Sequence, residues 1–202
     1  MKKLLLLLLP SLLLISFLAY KTGPTEKEKK FAVTSLKETR SYLAKAIKGL
    51  SEEQLNYKPA PDRWSIKECV QHIAITEDGL WALCEGILKG EPDPDKRSEI
   101  KFTDEQVLEM ISDRSHKVKT TDQMQPDKSP YSTAAEAFKG FSESRDKLIK
   151  YMKNTTDDMR DHIWNSPVGM MDSYQVVLFI SGHTKRHTLQ IEEVKADPGY
   201  PK

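Results

Sequence analysis

Apolar residues recur at intervals of three and four along most of the chain, a spacing that predicts amphipathic α-helices. We expect four long helices, at about residues 25–48, 66–89, 133–153 and 172–195. The second has the best-marked start, because Ser65 and Glu68 have the spacing of a capping box. A shorter helix is expected from the cap Thr103 to about residue 117, and a short capped turn at residues 50–55.

Proline and glycine mark the connections, at about residues 56–63, 90–94 and 126–130. Strand signals are nearly absent. The apolar run at residues 176–180 could form a strand, but its continuation into a polar helical pattern favours a buried helix. We therefore predict an all-α protein, a four-helix bundle with one short extra helix. Its domain would span residues 25–196, followed by a frayed tail at 197–202.

The first twenty residues have the layout of an export signal. Lys2 and Lys3 precede an apolar run that reaches residue 20. We expect a signal peptide at residues 1–20 and an exported protein, periplasmic or secreted. The alternative is an uncleaved N-terminal anchor, since the run is near the lower length limit of a membrane-spanning helix. Membrane contact is expected only in that case.

Charge and cysteine content restrict the remaining possibilities. The chain has 31 Lys and Arg against 30 Asp and Glu, and loss of Lys2 and Lys3 would leave a net charge near −1. That balance gives no argument for a nucleic-acid partner. Cys69 and Cys84 lie fifteen positions apart in one predicted helix, a separation of about 22 Å. This is too far for a disulfide, and both are expected as small buried residues.

Three histidines are the candidates for chemistry. His183 and His187 are four positions apart in the last predicted helix, so they share one helix face. His72 lies early in the second predicted helix, and facing helices of a bundle can bring all three together. Three imidazoles with one open position suit a catalytic divalent metal. No glutamate follows His183, which excludes the zinc-protease motif HExxH.

Residues around the histidines have competing interpretations. Gln190, close to one turn beyond His187, could hydrogen-bond an imidazole or a metal-bound water. Cys69 and Thr76 share the face of His72 and either line a pocket or pack in the core. Glu77 is a candidate general base, but it is rotated about 140° from His72 around the helix. We therefore expect a solvated or dimer-facing carboxylate.

Several polar side chains are expected at the surface. His116 and His162 have polar neighbours in the sequence, and Arg186 has the character of a surface cation. Arg63 could meet an anionic substrate or form a salt bridge to the bundle. Trp64 precedes the Ser65 cap and is expected to pack on the first turns of the second helix.

Four segments together resemble the DinB/YfiT-like superfamily of four-helix-bundle metal-binding proteins. They are residues 50–55 (LSEEQL), 63–66 (RWSI), 71–77 (QHIAITE) and 182–191 (GHTKRHTLQI). The resemblance spans residues 27–195 and implies that His72, His183 and His187 ligate one divalent metal, nickel or zinc. It also implies a homodimer for many relatives.

The activities implied by this resemblance leave the substrate open. The leading hypothesis is a metal-dependent hydrolase in which metal-bound water is the nucleophile. A thiol S-transferase would use the same open position for a thiolate. Export departs from the typical cytosolic relatives and argues against thiol transfer, because reduced small thiols are kept chiefly in the cytosol. A non-catalytic metal-binding module of a stress response is the third alternative.

Overall fold

Long helices dominate the architecture, as the apolar spacing predicts. The computed structural model describes residues 23–202, so the predicted signal peptide or anchor at residues 1–20 lies outside the described residues. In chain order the elements are α1 (Glu26–Ile47), α2 (Glu52–Asn56), α3 (Ile66–Leu88), α4 (Asp104–Ser112), α5 (Ala134–Asn154), β1 (Ile163–Ser166), β2 (Gly169–Asp172) and α6 (Ser173–Lys195). Short 3₁₀ turns lie at Pro94–Glu99, Asp122–Met124 and Pro126–Lys128.

Side-chain caps set where the helices begin. The side chain of Ser65 accepts from the backbone N–H of Glu68, and the Glu68 carboxylate accepts from the N–H of Ser65 at 2.7 Å. Equivalent capping boxes begin α1, α2, α4 and α5. Asp172 caps α6 by accepting from the N–H of Gln175 at 2.8 Å. These caps satisfy N–H groups that the first turn leaves unpaired, and they place His72 in the second turn of α3.

The bundle consists of α1, α3, α5 and α6. Helix α6 packs against α1, α3 and α4, and α5 packs against α1 and α3. The core between them is apolar, with fully buried side chains that include Leu36, Leu43, Ile73, Phe141 and Leu148. Because α6 contacts three other helices, it is buried around most of its circumference. This central position brings its histidines against α3.

Helix α4 approaches α6 closely at Gly182. A Cβ atom at this position would lie 3.1 Å from Cβ of Ile111 and 3.3 Å from the carbonyl oxygen of Leu108. The absent side chain therefore allows close packing of the two helices. Helix α4 ends at Ser112, earlier than the predicted end near residue 117. Beyond it, the Asp113 carboxylate accepts from the N–H and hydroxyl of Ser115 at 2.8 and 2.6 Å, which stabilises a turn.

The all-α expectation was wrong in one region, between α5 and α6. Between α5 and α6 the described chain forms an antiparallel hairpin, with Ile163 opposite Asp172 and a turn at Gly169, whose φ is +126°. Each strand has only four residues, and neither alternates strictly between apolar and polar positions, so the strand signal is weak. At the tail, Tyr57 donates to Asp197 at 2.6 Å and its ring meets that of Tyr200 edge to face.

Two further features concern possible cross-links and membrane insertion. Cys69 and Cys84 are free and buried, as their separation along α3 predicts. Among residues 23–202, none of the helices combines the length and the apolarity needed to cross a membrane.

Candidate metal centre

The fold brings His72, His183 and His187 into one cluster. Nε2 of His72 lies 3.1 Å from Nε2 of His183, and one ligand nitrogen from each ring lies within 4.8 Å of the others. The ring centroids are 4.4 to 4.9 Å apart. Helix α3 supplies one ring and successive turns of α6 supply two, so the arrangement predicted from the spacing is present.

Hydrogen bonds on the outer side of the cluster set the tautomers. Nδ1 of His72 lies 2.6 Å from the carbonyl oxygen of Met124, and Nδ1 of His187 lies 2.9 Å from Oε1 of Gln190. Each oxygen is an acceptor, so each Nδ1 carries the proton. The Nε2 atoms of His72 and His187 are then left with free lone pairs.

This donor set fits a divalent transition metal. Ligating histidines usually donate their second ring nitrogen to a carbonyl or carboxylate, which orients the ring and raises its basicity. Met124 and Gln190 provide this support here. Three neutral imidazoles match catalytic zinc sites, in which further positions stay open. Among the described residues, these histidines are the one group of His, Cys, Asp and Glu with converging ligand atoms.

Burial keeps the cluster uncharged. It lowers the pKa of His72 to about 4, although the bond to Met124 acts in the opposite direction. Burial also lowers the pKa of His183 and His187 well below the usual value, and the neighbouring histidines add to the effect. Neutral imidazole is the form that binds metals, so the unprotonated cluster is ready to do so at neutral pH.

Aromatic rings form part of the wall. The Trp64 ring lies 4.7 Å from the ring of His72 and stacks on that of His187 at 5.7 Å. Phe179, one turn before His183 on α6, stacks on His183 at 6.4 Å. Trp64 therefore extends from the start of α3 to the histidines as well as anchoring its first turns. Its apolar surface limits water on that side.

The other predicted neighbours divide into two groups. Gln190 binds His187 in the way its spacing suggests, and Oγ1 of Thr76 lies 3.4 Å from Nδ1 of His72. Cys69 lies in the apolar core between helices and is absent from the group of converging ligands. Burial raises the pKa of its thiol far above the usual value. A neutral thiol in such surroundings is inert, which favours the packing interpretation.

Glu77 lies away from the ligand face, as its rotation around the helix predicts, but the expectation of a solvated or dimer-facing carboxylate was wrong. It is only 3% exposed, and both carboxylate oxygens accept from Arg145 at 2.6 Å. Arg145 also donates to the hydroxyl of Thr184, next to His183 in α6. The sequence signal for Arg145 was its place between Phe141 and Leu148 on the apolar stripe of α5. Its burial requires carboxylate and carbonyl partners from other helices.

Three further side chains were expected at the surface, and two of them, His162 and Arg186, are buried instead. His116 is exposed, as expected. His162 is buried, with Nδ1 2.5 Å from the carbonyl oxygen of Asp158 and Nε2 3.1 Å from that of Gly90. Arg186 is also buried and donates to the carbonyl oxygens of Asp113 and His116. Backbone carbonyl partners have no sequence signature, since every residue has one.

Comparison with known proteins gives three findings. Residues 35–191 match the family model of the DinB superfamily. The chain is 27% identical over 150 residues to the uncharacterized protein YuaE of Bacillus subtilis (strain 168), covering 74% of this chain and 88% of YuaE. A solved structure of YfiT from Bacillus subtilis matches with a TM-score of 0.60 and 14% identity, covering 89% of this chain and 92% of YfiT. YfiT is described as a probable metal-dependent hydrolase with an unusual four-helix bundle topology. At this identity the match shows a shared fold.

Proposed function

The chain belongs to the DinB superfamily, and on this premise we propose that it is a metal-dependent hydrolase whose ion is held by His72, His183 and His187. Nickel and zinc are the ions that we propose, since both accept imidazole ligands. The description of YfiT as a probable metal-dependent hydrolase of the same fold supports the reaction class.

One observation carries the proposal. Three buried or half-buried imidazoles converge within 4.8 Å, and two of them have their outer nitrogens bonded to oxygen acceptors. Histidines that serve only as core residues need no such convergence of ring nitrogens, whereas three imidazoles around one point are the ligand set of catalytic zinc sites.

The chain's own residues would prepare the site for catalysis. Met124 and Gln190 hold two rings in the metal-binding tautomer, while Trp64 shields them from water on one side. His183 keeps part of its surface exposed, so the cluster is open to solvent there. When bound, a divalent cation would supply a Lewis acid that activates water and polarises a substrate carbonyl.

Metal binding can be tested by comparing His183→Ala with His116→Ala. After equilibrium dialysis against zinc or nickel, elemental analysis should find about one equivalent in the wild type. The control His116→Ala should also bind one equivalent, because His116 is exposed and outside the cluster. His183→Ala should lose the ion. Equal metal contents in the two variants would refute the proposed centre.

The reaction class needs a separate measurement. Loaded wild-type protein is assayed on a panel of esters and amides, before and after chelation. We expect turnover that a chelator abolishes, that zinc or nickel restores, and that His183→Ala lacks. Metal binding without turnover on this panel would contradict the hydrolase proposal and favour a binding module.

A further inference from the structure

Arg114 lies beside the histidine cluster, in the turn after α4. Its Nε and Nη2 atoms donate to the two oxygens of Glu193 at 3.0 and 2.7 Å. Its Nη1 donates to Oε1 of Gln190 at 3.3 Å, the same oxygen that accepts from His187 at 2.9 Å. Two hydrogen bonds through Oε1 of Gln190 therefore connect the Arg114 guanidinium to the His187 ring.

The backbone that carries Arg114 is attached to α6. Arg186, between the two histidines of that helix, donates to the carbonyl oxygens of Asp113 and His116 on either side of Arg114. The close contact of α4 with Gly182 fixes the start of the same turn. The cluster and the Arg114 guanidinium are thus held by one helix. The guanidinium and the His187 ring are therefore held in a fixed relation to each other.

Three arginines lie around Glu193. Arg63, Arg114 and Arg186 all act on its carboxylate, with Arg63 Nη2 at 3.6 Å. The histidines add no charge while they are neutral. A divalent cation on them would add positive charge beside these arginines, and positive charge concentrated in this way attracts anions.

Glu193 already shows how Arg114 receives a carboxylate. The pair is two-pronged, which is the geometry in which a guanidinium recognises planar carboxylates. The Glu193 side chain is 42% exposed and that of Arg114 is 22% exposed. Both partners are accessible to solvent, so a carboxylate from solution can compete with Glu193 for the guanidinium.

We propose that Arg114 binds a carboxylate group of the substrate beside the histidine cluster, and that Glu193 occupies the same guanidinium in the free protein. This inference rests on the proposed function in one respect, because it calls the bound carboxylate part of a substrate. The carboxylate site itself consists of residues outside the proposed metal ligands.

The test is a titration with butyrate, a simple carboxylate, and with butyramide, its neutral analogue. Binding is followed by ¹⁵N NMR of the arginine Nε–H groups, in metal-free and in zinc-loaded protein. Butyrate should shift the Arg114 signal and butyramide should not. Arg114→Gln should weaken butyrate binding about tenfold or more, because a charge-assisted bidentate pair is lost. Backbone amide signals follow binding in that variant.

Two further variants separate recognition from a structural role. Glu193→Gln should bind butyrate several-fold more tightly, because Arg114 is no longer occupied by a competing carboxylate. Arg97→Gln, at an exposed arginine paired with Asp161 at 3.1 Å, is the matched control and should bind like the wild type. A purely structural Arg114–Glu193 pair predicts no gain of affinity in Glu193→Gln.

The outcomes distinguish this inference from the metal proposal. Equal butyrate affinity in wild type and Arg114→Gln, or no tightening in Glu193→Gln, would overturn the carboxylate site. Failure to bind zinc, with the Arg114 dependence intact in metal-free protein, would refute the metal centre and support the carboxylate site.

Discussion

Arg145 is fully buried at the centre of the bundle and joins its four helices. From α5 it donates to Glu77 on α3, to Thr184 on α6, and to Thr39 and the carbonyl oxygen of Leu36 on α1. Removing two charges from water is costly, and the pair persists because each polar group has a partner. The network therefore opposes sliding of the helices that carry the histidines.

Breaking this pair should be strongly destabilising. Arg145→Met leaves Glu77 buried without a counter-charge, and we expect a loss of about 3–5 kcal/mol in the free energy of unfolding, measured with urea. The control Arg40→Met removes a more exposed pair with Asp146 and should cost less than about 1 kcal/mol. The double variant Arg145→Met/Glu77→Leu should recover much of the loss. Equal costs for Arg145→Met and Arg40→Met would contradict this account.

The buried histidines should make the metal-free protein sensitive to mild acid. Their pKa values are lowered in the folded state, to about 4 for His72, so the unfolded chain binds protons first. Their contribution to stability is present above about pH 6.5 and is lost as the pH falls towards 4. For His72 alone, the loss between pH 7.5 and 5 is about 2 kcal/mol.

Urea unfolding of the chelated and dialysed protein at pH 7.5 and 5 measures this effect. His72→Phe should show a smaller loss of stability between the two pH values than the wild type. His116→Ala should behave like the wild type, since His116 is exposed. A pH dependence that His72→Phe leaves unchanged would show that other groups cause it.

At the scale of elements, α6 organises the candidate sites. It supplies two of the clustered histidines and Gln190, and it holds the turn after α4 through Arg186. Because α4 packs against α6 at Gly182, the spacing of these two helices sets where Arg114 lies relative to the cluster.

Substitution of Gly182 should therefore disturb packing. Gly182→Val places new atoms against Ile111 and the backbone of Leu108, and overpacking of this kind costs about 1–3 kcal/mol. Gly86→Ala in α3 is the matched control, because nothing lies within 4 Å of its added Cβ. It should stabilise the protein by up to about 1 kcal/mol through helix propensity. Thermal unfolding of both variants measures the difference, and a neutral Gly182→Val would mean that the α4–α6 contact is loose.

At the scale of the whole molecule, metal binding should stabilise the fold. The proposed ligands come from α3 and α6, so an ion would link two helices that separate on unfolding. Zinc at about 100 times its dissociation constant adds about 2.7 kcal/mol. This corresponds to a rise of about 5–10 °C in Tm for a chain of this size. Calorimetry should detect the rise in the wild type and in His116→Ala but not in His183→Ala. An equal rise in all three would place zinc elsewhere.

Two whole-molecule expectations stay predictions. Export depends on residues 1–20, outside the described residues, and the homodimer follows only from the family resemblance. Mass spectrometry of the mature protein would identify a cleaved N-terminus, and sedimentation equilibrium would give the oligomeric state.

The sequence alone determined the features that depend on local periodicity. The bounds of the four long helices, the Ser65–Glu68 cap and the shared face of His183 and His187 follow from spacings of three and four residues. The four motif segments indicated the family, and the family resemblance implied that His72 meets the two histidines of the last helix. These features need little knowledge of distant contacts, which is why they were predictable.

Tertiary structure decided the features that depend on distant partners. The carbonyl oxygen that orients His72 comes from Met124, 52 positions away, and the carboxylate held by Arg114 is 79 positions away. The burial of Glu77 depends on Arg145, 68 positions along the chain. The sequence does not show which group a backbone carbonyl or a charged side chain will bind in the folded protein. Only packing, which removes these groups from water and requires each to be paired, determines which groups meet.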